Sequence, residues 1–143
     1  MHRGTTLPEL LLVLLVAGVL LGLGLPALGA LHDRLATDQA ARALVAAHLR
    51  ARLVARLEQR RVVLDADSAS LRLWSIESVA DTVLRWEGGG PGGEGVTATG
   101  LPHRMTYGPA GNALGLANVT ITLRRGAARR QVVVSRYGRA RLQ

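Results

Sequence analysis

The chain has 143 residues, 48% of them hydrophobic, which is enough for one domain with an appendage but not for two full cores. It contains no cysteine, which excludes a disulfide framework, a thiolate metal site and a cysteine nucleophile. The formal net charge of +8 comes from arginine alone, and the excess lies beyond Glu94, in Arg104, Arg124, Arg125, Arg129, Arg130, Arg136, Arg139 and Arg141.

An uncharged run of 22 residues extends from Leu10 to Leu31. As a helix with a rise of about 1.5 Å per residue it would measure about 33 Å, enough to cross a bilayer core of about 30 Å. We therefore predict a membrane-spanning helix near the N-terminus. A secretory signal cut between Ala27 and Ala30 is the alternative, but such signals normally have a shorter apolar region.

Glu9 stands immediately before this run, where the first turns of the helix would enter lipid. An ionised carboxylate in hydrocarbon costs several kcal/mol unless it is paired, so Glu9 is a candidate functional residue. The alternative is a carboxylate at the membrane interface that is favoured by the positive end of the helix dipole. Position alone leaves both interpretations open.

The segment Gly4-Thr5-Thr6-Leu7-Pro8-Glu9, followed by the leucine-rich run, resembles the processing signal of type IV pilins and pseudopilins. The resemblance implies that prepilin peptidase removes leader residues 1–4 by cutting after Gly4, and that the new N-terminus at Thr5 is methylated. It also implies that Glu9 pairs with the free amino group of Thr5 in a neighbouring subunit. Thr5 and Pro8 depart from the residues that the family usually has at these positions.

The resemblance implies a single-pass protein of the bacterial inner membrane with its domain outside the cytoplasm. Residues 5–31 would be the transmembrane and assembly helix, with Pro26 expected to bend it. The positive-inside rule alone favours the opposite orientation, because Arg34, Arg42 and Arg50 follow the run and only Arg3 precedes it. The processing signal is the more specific of the two patterns.

Residues 32–61 are predicted to continue the helix in amphipathic form. The expected apolar stripe, at roughly four-residue spacing, consists of Leu31, Leu35, Val45, Leu49, Leu53 and Leu57. The pilin resemblance implies that this half of the helix packs on a sheet.

Residues 62–143 are predicted to form an antiparallel β-sheet domain, which makes the fold class α+β. Short strands are expected at residues 62–64, 71–74 and 79–86, and the alternation of apolar and polar residues over 117–124 indicates a half-buried strand. A turn at residues 126–128 then predicts a hairpin with residues 131–135, and a last short strand follows Gly138. The glycine-rich segment 87–95 is predicted to be a flexible, solvated loop.

No catalytic constellation is visible, so we predict a protein that is not an enzyme and that needs no cofactor. The four histidines, His2, His32, His48 and His103, are scattered and do not form a metal-ligand pair at helical spacing. Trp74 and Trp86 stand in strand-like runs and are expected in the core.

The C-terminal arginines form a candidate binding site. Arg139 and Arg141 are spaced i, i+2, which points them to the same side of an extended chain, and Tyr137 and Arg136 precede them. This arrangement suits phosphate contacts beside an aromatic residue. A solvated edge strand protected by charge is equally compatible with the spacing.

The run of valines followed by Gly138-Arg139-Ala140-Arg141 resembles the C-terminal signature of the GspH/FimT family of minor pseudopilins and pilins. In FimT-like members such a tail is implicated in DNA binding, which implies that Arg139 and Arg141 contact DNA with Arg136 beside them. H-type pseudopilins of type II secretion systems often end in a similar way.

The predicted function is therefore a minor pilin or pseudopilin in a type IV pilus or a type II secretion filament, with DNA capture through the basic tail. A purely structural H-type pseudopilin near the filament tip, promoting protein export without binding DNA, is the alternative. The implied partners are other pilins, prepilin peptidase, the inner membrane and DNA. The sequence also permits anionic lipid or an acidic partner pilin at the basic surface.

Overall fold

The computed structural model describes residues 6–78, 81–115 and 118–143, except for the side chains of Leu21 and residues 23–26. The chain divides into two compact units, Met1–His32 and Asp33–Gln143. In the first unit the described residues are helical from Leu7 onward, and their leucine and valine side chains are exposed. In the second unit lie all the buried hydrophobic side chains of the described residues.

Helix α1 spans Leu7–Glu58 and ends in a left-handed residue. Gln59 has a φ of 51°, which turns the chain so that the N–H of Arg60 donates to the carbonyl oxygen of Ala55 at 3.3 Å. This hydrogen bond satisfies one of the carbonyl groups that a helix end leaves free. The prediction of helix as far as Arg61 was wrong, because β1 begins at that residue.

The second unit contains two antiparallel sheets, so the α+β prediction is confirmed but with two sheets in place of one. The first has the order β3-β2-β1-β5-β6 and the second the order β4-β7-β8-β9. The strands of the first sheet are β1 (Arg61–Ala66), β2 (Ser70–Ile76), β3 (Thr82–Gly89), β5 (His103–Tyr107) and β6 (Ala113–Leu114). Those of the second are β4 (Thr97–Thr99), β7 (Val119–Arg125), β8 (Ala128–Val134) and β9 (Ala140–Leu142).

Most buried positions of α1 carry small residues, and the predicted apolar stripe was wrong for its leucines but right for Val45, which packs against the core. The buried hydrophobic positions are Ala36, Ala40, Ala41, Leu44, Ala47, Ala51 and Ala55, and the buried polar ones are Thr37 and His48. Leu31, Leu35, Leu49, Leu53 and Leu57 are instead between 49% and 83% exposed. Alanine side chains let the helix backbone approach the strands closely at most positions of the face that packs.

The strands supply the other half of the core by simple alternation. Their largest fully buried side chains are Val62, Leu64, Leu71, Leu73, Tyr107, Ile121, Leu123, Val132 and Val134. The predicted C-terminal hairpin is confirmed, since β7 pairs with β8 from Val119↔Val134 to Arg125↔Ala128 around a tight turn. The predicted strand starts at Val79 and Ala117 lie outside the described residues.

The segment 87–95 is structured, so the prediction of a flexible loop was wrong. Strand β3 continues to Gly89, and a short 3-10 helix spans Pro91–Glu94. The N–H of Gly90 donates to the carbonyl oxygen of Ala69 at 2.9 Å, and Gly90 is buried. A Cβ atom at Gly90 would lie 2.6 Å from the carbonyl oxygen of Ser68, so this glycine serves close packing.

The predicted processing site, Gly4 and Thr5, lies outside the described residues. Glu9 occupies the first turn of α1 and is exposed. The helix continues through Pro26, whose side chain is not described, so the bend expected there stays a prediction. Within the described residues no helix has a stretch that is long and apolar enough to cross a membrane.

Candidate nucleic-acid interface

Of the three arginines that the sequence singled out, the turn between β8 and β9 carries Arg136 and Arg139, and Arg141 follows in β9. The N–H of Gly138 donates to the carbonyl oxygen of Ser135 at 2.8 Å, and the N–H of Ser135 donates to the carbonyl oxygen of Arg139 at 2.9 Å. These bonds close a tight turn before β9 pairs with β8. Arg136, Arg139 and Arg141 are all exposed.

Gly138 fixes this turn against the core. Its φ of 76° is in the left-handed region, and a Cβ atom would lie 2.6 Å from Cε1 of Tyr107. Only glycine meets both conditions without strain. The glycine of the Gly138-Arg139-Ala140-Arg141 motif therefore has a structural role, which is to seat the arginine-bearing turn on the ring of Tyr107.

Tyr107 is held in turn by His48 of α1. The Tyr107 hydroxyl and Nδ1 of His48 are 2.6 Å apart, and the two rings meet edge to face with centroids 6.2 Å apart. Burial lowers the pKa of His48 to about 4, and the nearby His103 contributes in the same direction. His48 is therefore neutral at pH 7. Burial also raises the pKa of Tyr107, while Arg52 opposes that shift.

His48 and His103, which appear scattered in the sequence, come together in the fold. Their ring centroids are 6.4 Å apart, and the Nε2 atoms of both are buried without a hydrogen-bond partner among the described residues. Burial lowers the pKa of His103 as well. Nowhere in residues 6–78, 81–115 and 118–143 do three or more His, Asp or Glu side chains group so that they could hold a metal ion.

Two arginines of α1 join the C-terminal turn in lining adjacent hollows. One hollow, of about 340 Å³, is lined by Arg52, Arg56, Ala110, Gly111, Asn112, Tyr137 and Arg139. The other, of about 230 Å³, is lined by Val45, Leu49, Arg52, Gly138, Arg139, Ala140 and Arg141. Arg52 and Arg139 belong to both, so the helix and the turn share one basic surface.

Both helix arginines are anchored on the turn that follows β5. Nε of Arg52 donates to the carbonyl oxygen of Gly111, and Nε of Arg56 donates to that of Ala110, each at 3.0 Å. Gly111 has a φ of 73°, and a Cβ atom there would collide with the Arg56 side chain. The sequence does not reveal this association, because positions 52 and 139 are far apart and only the i, i+4 spacing of Arg52 and Arg56 indicates a basic helix face.

Ion pairs sort the arginines into two groups. Acids from the N-terminal part of the unit neutralise three arginines of the C-terminal excess, through the pairs Arg104–Asp65, Arg125–Asp33 and Arg130–Asp38, at 2.5, 3.0 and 3.3 Å. The arginines beyond Glu94 are therefore only partly available as unneutralised charge. Among the described residues, the arginines without a carboxylate within ion-pair distance include Arg52, Arg56, Arg136, Arg139 and Arg141.

A larger hollow, of about 870 Å³, lies on the face of the first sheet that carries Val63, Trp74 and Ile76. Its two arginines are engaged, since Arg104 pairs with Asp65 and Arg72 pairs with Glu87 at 2.8 Å. Because its arginines are already paired, this hollow is a poorer phosphate site than the C-terminal surface.

The two tryptophans differ in burial. Trp74 is half-buried at this hollow, so its expected place in the core was wrong. Trp86 packs against the core beneath Arg50.

Comparison with known proteins agrees with this architecture. The family model for type II transport protein GspH matches residues 40–138. Pilin-like protein PilA1 of Thermus thermophilus is 38% identical over 158 aligned positions, which cover 99% of each chain. Two crystal structures of the type IV minor pilin FimU of Pseudomonas aeruginosa are similar in fold, at 18% identity, with TM-scores of 0.62 and 0.60. They cover 75% and 74% of this chain, and 87% and 91% of their own. The chain therefore belongs to the GspH family of pilin-like proteins.

Proposed function

We propose that this protein is a minor subunit of a type IV pilus and that its C-terminal turn captures DNA. The observation that carries the proposal is the exposure of Arg136 and Arg139 on this turn and of Arg141 in β9, without a carboxylate within ion-pair distance among the described residues. Capture of a polyanion requires a localised surface of unneutralised positive charge. The turn supplies such a surface.

Membrane insertion and processing would deliver the subunit to the filament. In this proposal prepilin peptidase cuts after Gly4, Thr5 becomes the methylated N-terminus and residues 5–31 lie in the inner membrane. Residues 32–61 carry the chain out of the membrane, and residues 62–143 form the extracytoplasmic domain. The uncharged run from Leu10 to Leu31 and the exposure of its described leucines support this arrangement.

Glu9 would pair with the amino group of Thr5 in a neighbouring subunit, so that both charges are neutralised inside an apolar filament core. We expect Glu9→Ala to leave membrane insertion intact and to reduce incorporation into filaments. Glu94→Ala is the matched control, because it removes an acid from the second unit, on the 3-10 helix. Co-purification with partner pilins measures incorporation. Normal incorporation of Glu9→Ala would remove the pairing from the proposal.

The alternative function is that of an H-type pseudopilin that promotes protein export without binding DNA. It is favoured by the family match, whose description is type II transport protein GspH. In this alternative the exposed arginines only keep the edge strand β9 solvated. The two functions differ in one property, which is affinity for DNA.

A gel-shift titration of the full chain in non-ionic detergent separates them. If the proposal holds, DNA affinity falls steeply with salt, and Arg139→Gln combined with Arg141→Gln reduces the logarithmic salt slope by about 2. Arg124→Gln combined with Arg129→Gln removes the same charge at the other end of β8 and is the control. Absence of binding at low salt would leave the structural pseudopilin as the function.

A further inference from the structure

We infer that the DNA-binding surface extends from the C-terminal turn onto α1, where Arg52 and Arg56 supply two further contacts to a phosphodiester backbone. The inference rests on the DNA capture proposed above, because it assigns additional residues to the same site. It does not follow from the C-terminal motif, which lies more than eighty positions along the chain from the helix arginines.

Shared hollows connect the two groups of arginines. Arg139 lines one hollow with Arg52 and Arg56, and a second one with Arg52 and Arg141. A polyanion that contacts Arg139 from outside therefore meets guanidinium groups of the helix in the same surface depression. The four side chains form a clamp that has one side on α1 and the other side on the C-terminal turn.

The hydrogen bonds that hold Arg52 and Arg56 leave their terminal nitrogens available to bind a ligand. Each uses its Nε atom for a backbone carbonyl of the turn after β5, and neither has a further hydrogen bond from its terminal nitrogens among the described residues. Those terminal nitrogens are the donors that recognise phosphate in a forked geometry. Because the side chains are already held, less conformational entropy is lost when they bind a ligand.

The composition of the surface favours backbone contacts over base recognition. Tyr137 is 60% exposed, but the guanidinium of Arg136 lies 4.9 Å from the centre of its ring and donates to its hydroxyl at 2.8 Å. Tyr137 is the one aromatic side chain among the described residues that line these hollows, and one face of its ring is therefore covered. Contacts that consist of arginine and phosphate position a nucleic acid without reading its sequence. We expect binding that is independent of sequence.

Fluorescence anisotropy with labelled DNA tests the inference. The full chain in non-ionic detergent is titrated with a duplex and with a single strand, each in two unrelated sequences, over a range of salt. The test variant combines Arg52→Gln with Arg56→Gln. We expect it to weaken binding at low salt by about tenfold and to lower the salt slope by about 2, for both sequences of each form.

Two further variants control for charge and for folding. Arg124→Gln with Arg129→Gln removes equal charge at the opposite end of β8 and should change the slope much less. Arg52→Lys with Arg56→Lys keeps the positive charges and should restore most of the salt slope, which counts neutralised phosphates, although the forked geometry is lost. If the lysine variant has the same reduced salt slope as the glutamine variant, the loss reflects a displaced turn and the inference is wrong.

The outcomes distinguish this inference from the proposed function. If the unmodified chain does not bind DNA, the proposed capture fails. If it binds, and only the Arg139 and Arg141 variants weaken binding, the capture stands and the extension onto α1 is wrong. A parallel titration with phosphatidylglycerol vesicles tests a lipid surface as ligand. The inference is also wrong if the helix arginines affect vesicle binding but not DNA binding.

Discussion

Protonation of His48 should destabilise the second unit at moderately acid pH. The side chain is fully buried, its Nδ1 atom is 2.6 Å from the Tyr107 hydroxyl, and its Nε2 atom has no partner among the described residues. A positive charge at this position would be desolvated and close to His103. The unfolded chain, in contrast, solvates the charged ring fully.

The size of the destabilisation follows from the difference between the pKa of His48 in the folded protein and its pKa in the unfolded chain. In the folded protein the pKa of His48 is lowered to about 4, against an ordinary value of 6.5. At about 1.4 kcal/mol per pKa unit this difference corresponds to about 3 kcal/mol of unfolding free energy. Because the folded-state value is the lower one, this contribution is complete above pH 6.5. It is lost as the pH falls from 6.5 towards 4.

Urea unfolding of the full chain in detergent measures this effect. Both tryptophans, Trp74 and Trp86, lie in the second unit, so their fluorescence reports on that unit alone. As the pH falls from 6.5 to 4, we expect the free energy of unfolding of the wild type to decrease by about 3 kcal/mol more than that of His48→Gln. The glutamine retains a polar group for the Tyr107 hydroxyl but cannot titrate, and His32→Gln, at an exposed position outside this unit, is the control. Parallel pH profiles for the wild type and His48→Gln would refute the reasoning.

Three further predictions concern single side chains, each measured by urea unfolding. Gly138→Ala should destabilise the protein by about 1–3 kcal/mol and weaken DNA binding, because the new methyl group meets the Tyr107 ring and the φ is positive; an unchanged stability would contradict the proposed role of Gly138. Leu44→Ala should cost about 2–5 kcal/mol, and Leu53→Ala, at a position that is 49% exposed, much less; equal costs would contradict the assignment of the buried helix face. Gln59→Gly should stabilise by up to about 1 kcal/mol, since glycine adopts the left-handed helix end without strain, and a destabilised variant would show that the Gln59 side chain matters more.

Regular alternation made the C-terminal hairpin predictable from the sequence. In β7 the apolar residues Ile121 and Leu123 alternate with threonines, and Gly126 marks the turn to β8. The core face of α1 was not predictable in this way. Hydrophobicity ranks leucine above alanine, so the pattern selected Leu49 and Leu53, although the helix packs through its alanines. Packing distance between helix and sheet, which a single sequence does not reveal, decides between the two faces.

In the sequence, glycines that serve close packing wrongly indicated a flexible loop. The sequence indicated flexibility at Gly90, whereas the structure uses the missing side chain to bring two backbone segments together. At Gly138 the motif predicted a functional turn, but not the contact with Tyr107 that fixes it. Such contacts join positions that are distant along the chain, and no local pattern encodes them.

The candidate site was predictable only in part. Arg139 and Arg141 were recognised from their spacing and from the family signature, and the structure exposes both. Arg52 and Arg56 were not recognised, because their association with the C-terminal turn depends on how α1 packs on the sheets. Counting charges along the sequence also does not show that Arg125 and Arg130 fold back onto acids of α1.

Mass spectrometry of the intact protein from its native host tests the filament-subunit account most directly. The account predicts a mass that lacks residues 1–4 and carries one added methyl group at Thr5, which leaves a terminal amine for Glu9 of the next subunit. A chain that retains residues 1–4, or that is cut near Ala30, would contradict it. In either case the amino group of Thr5 would not exist and the pairing with Glu9 would not form.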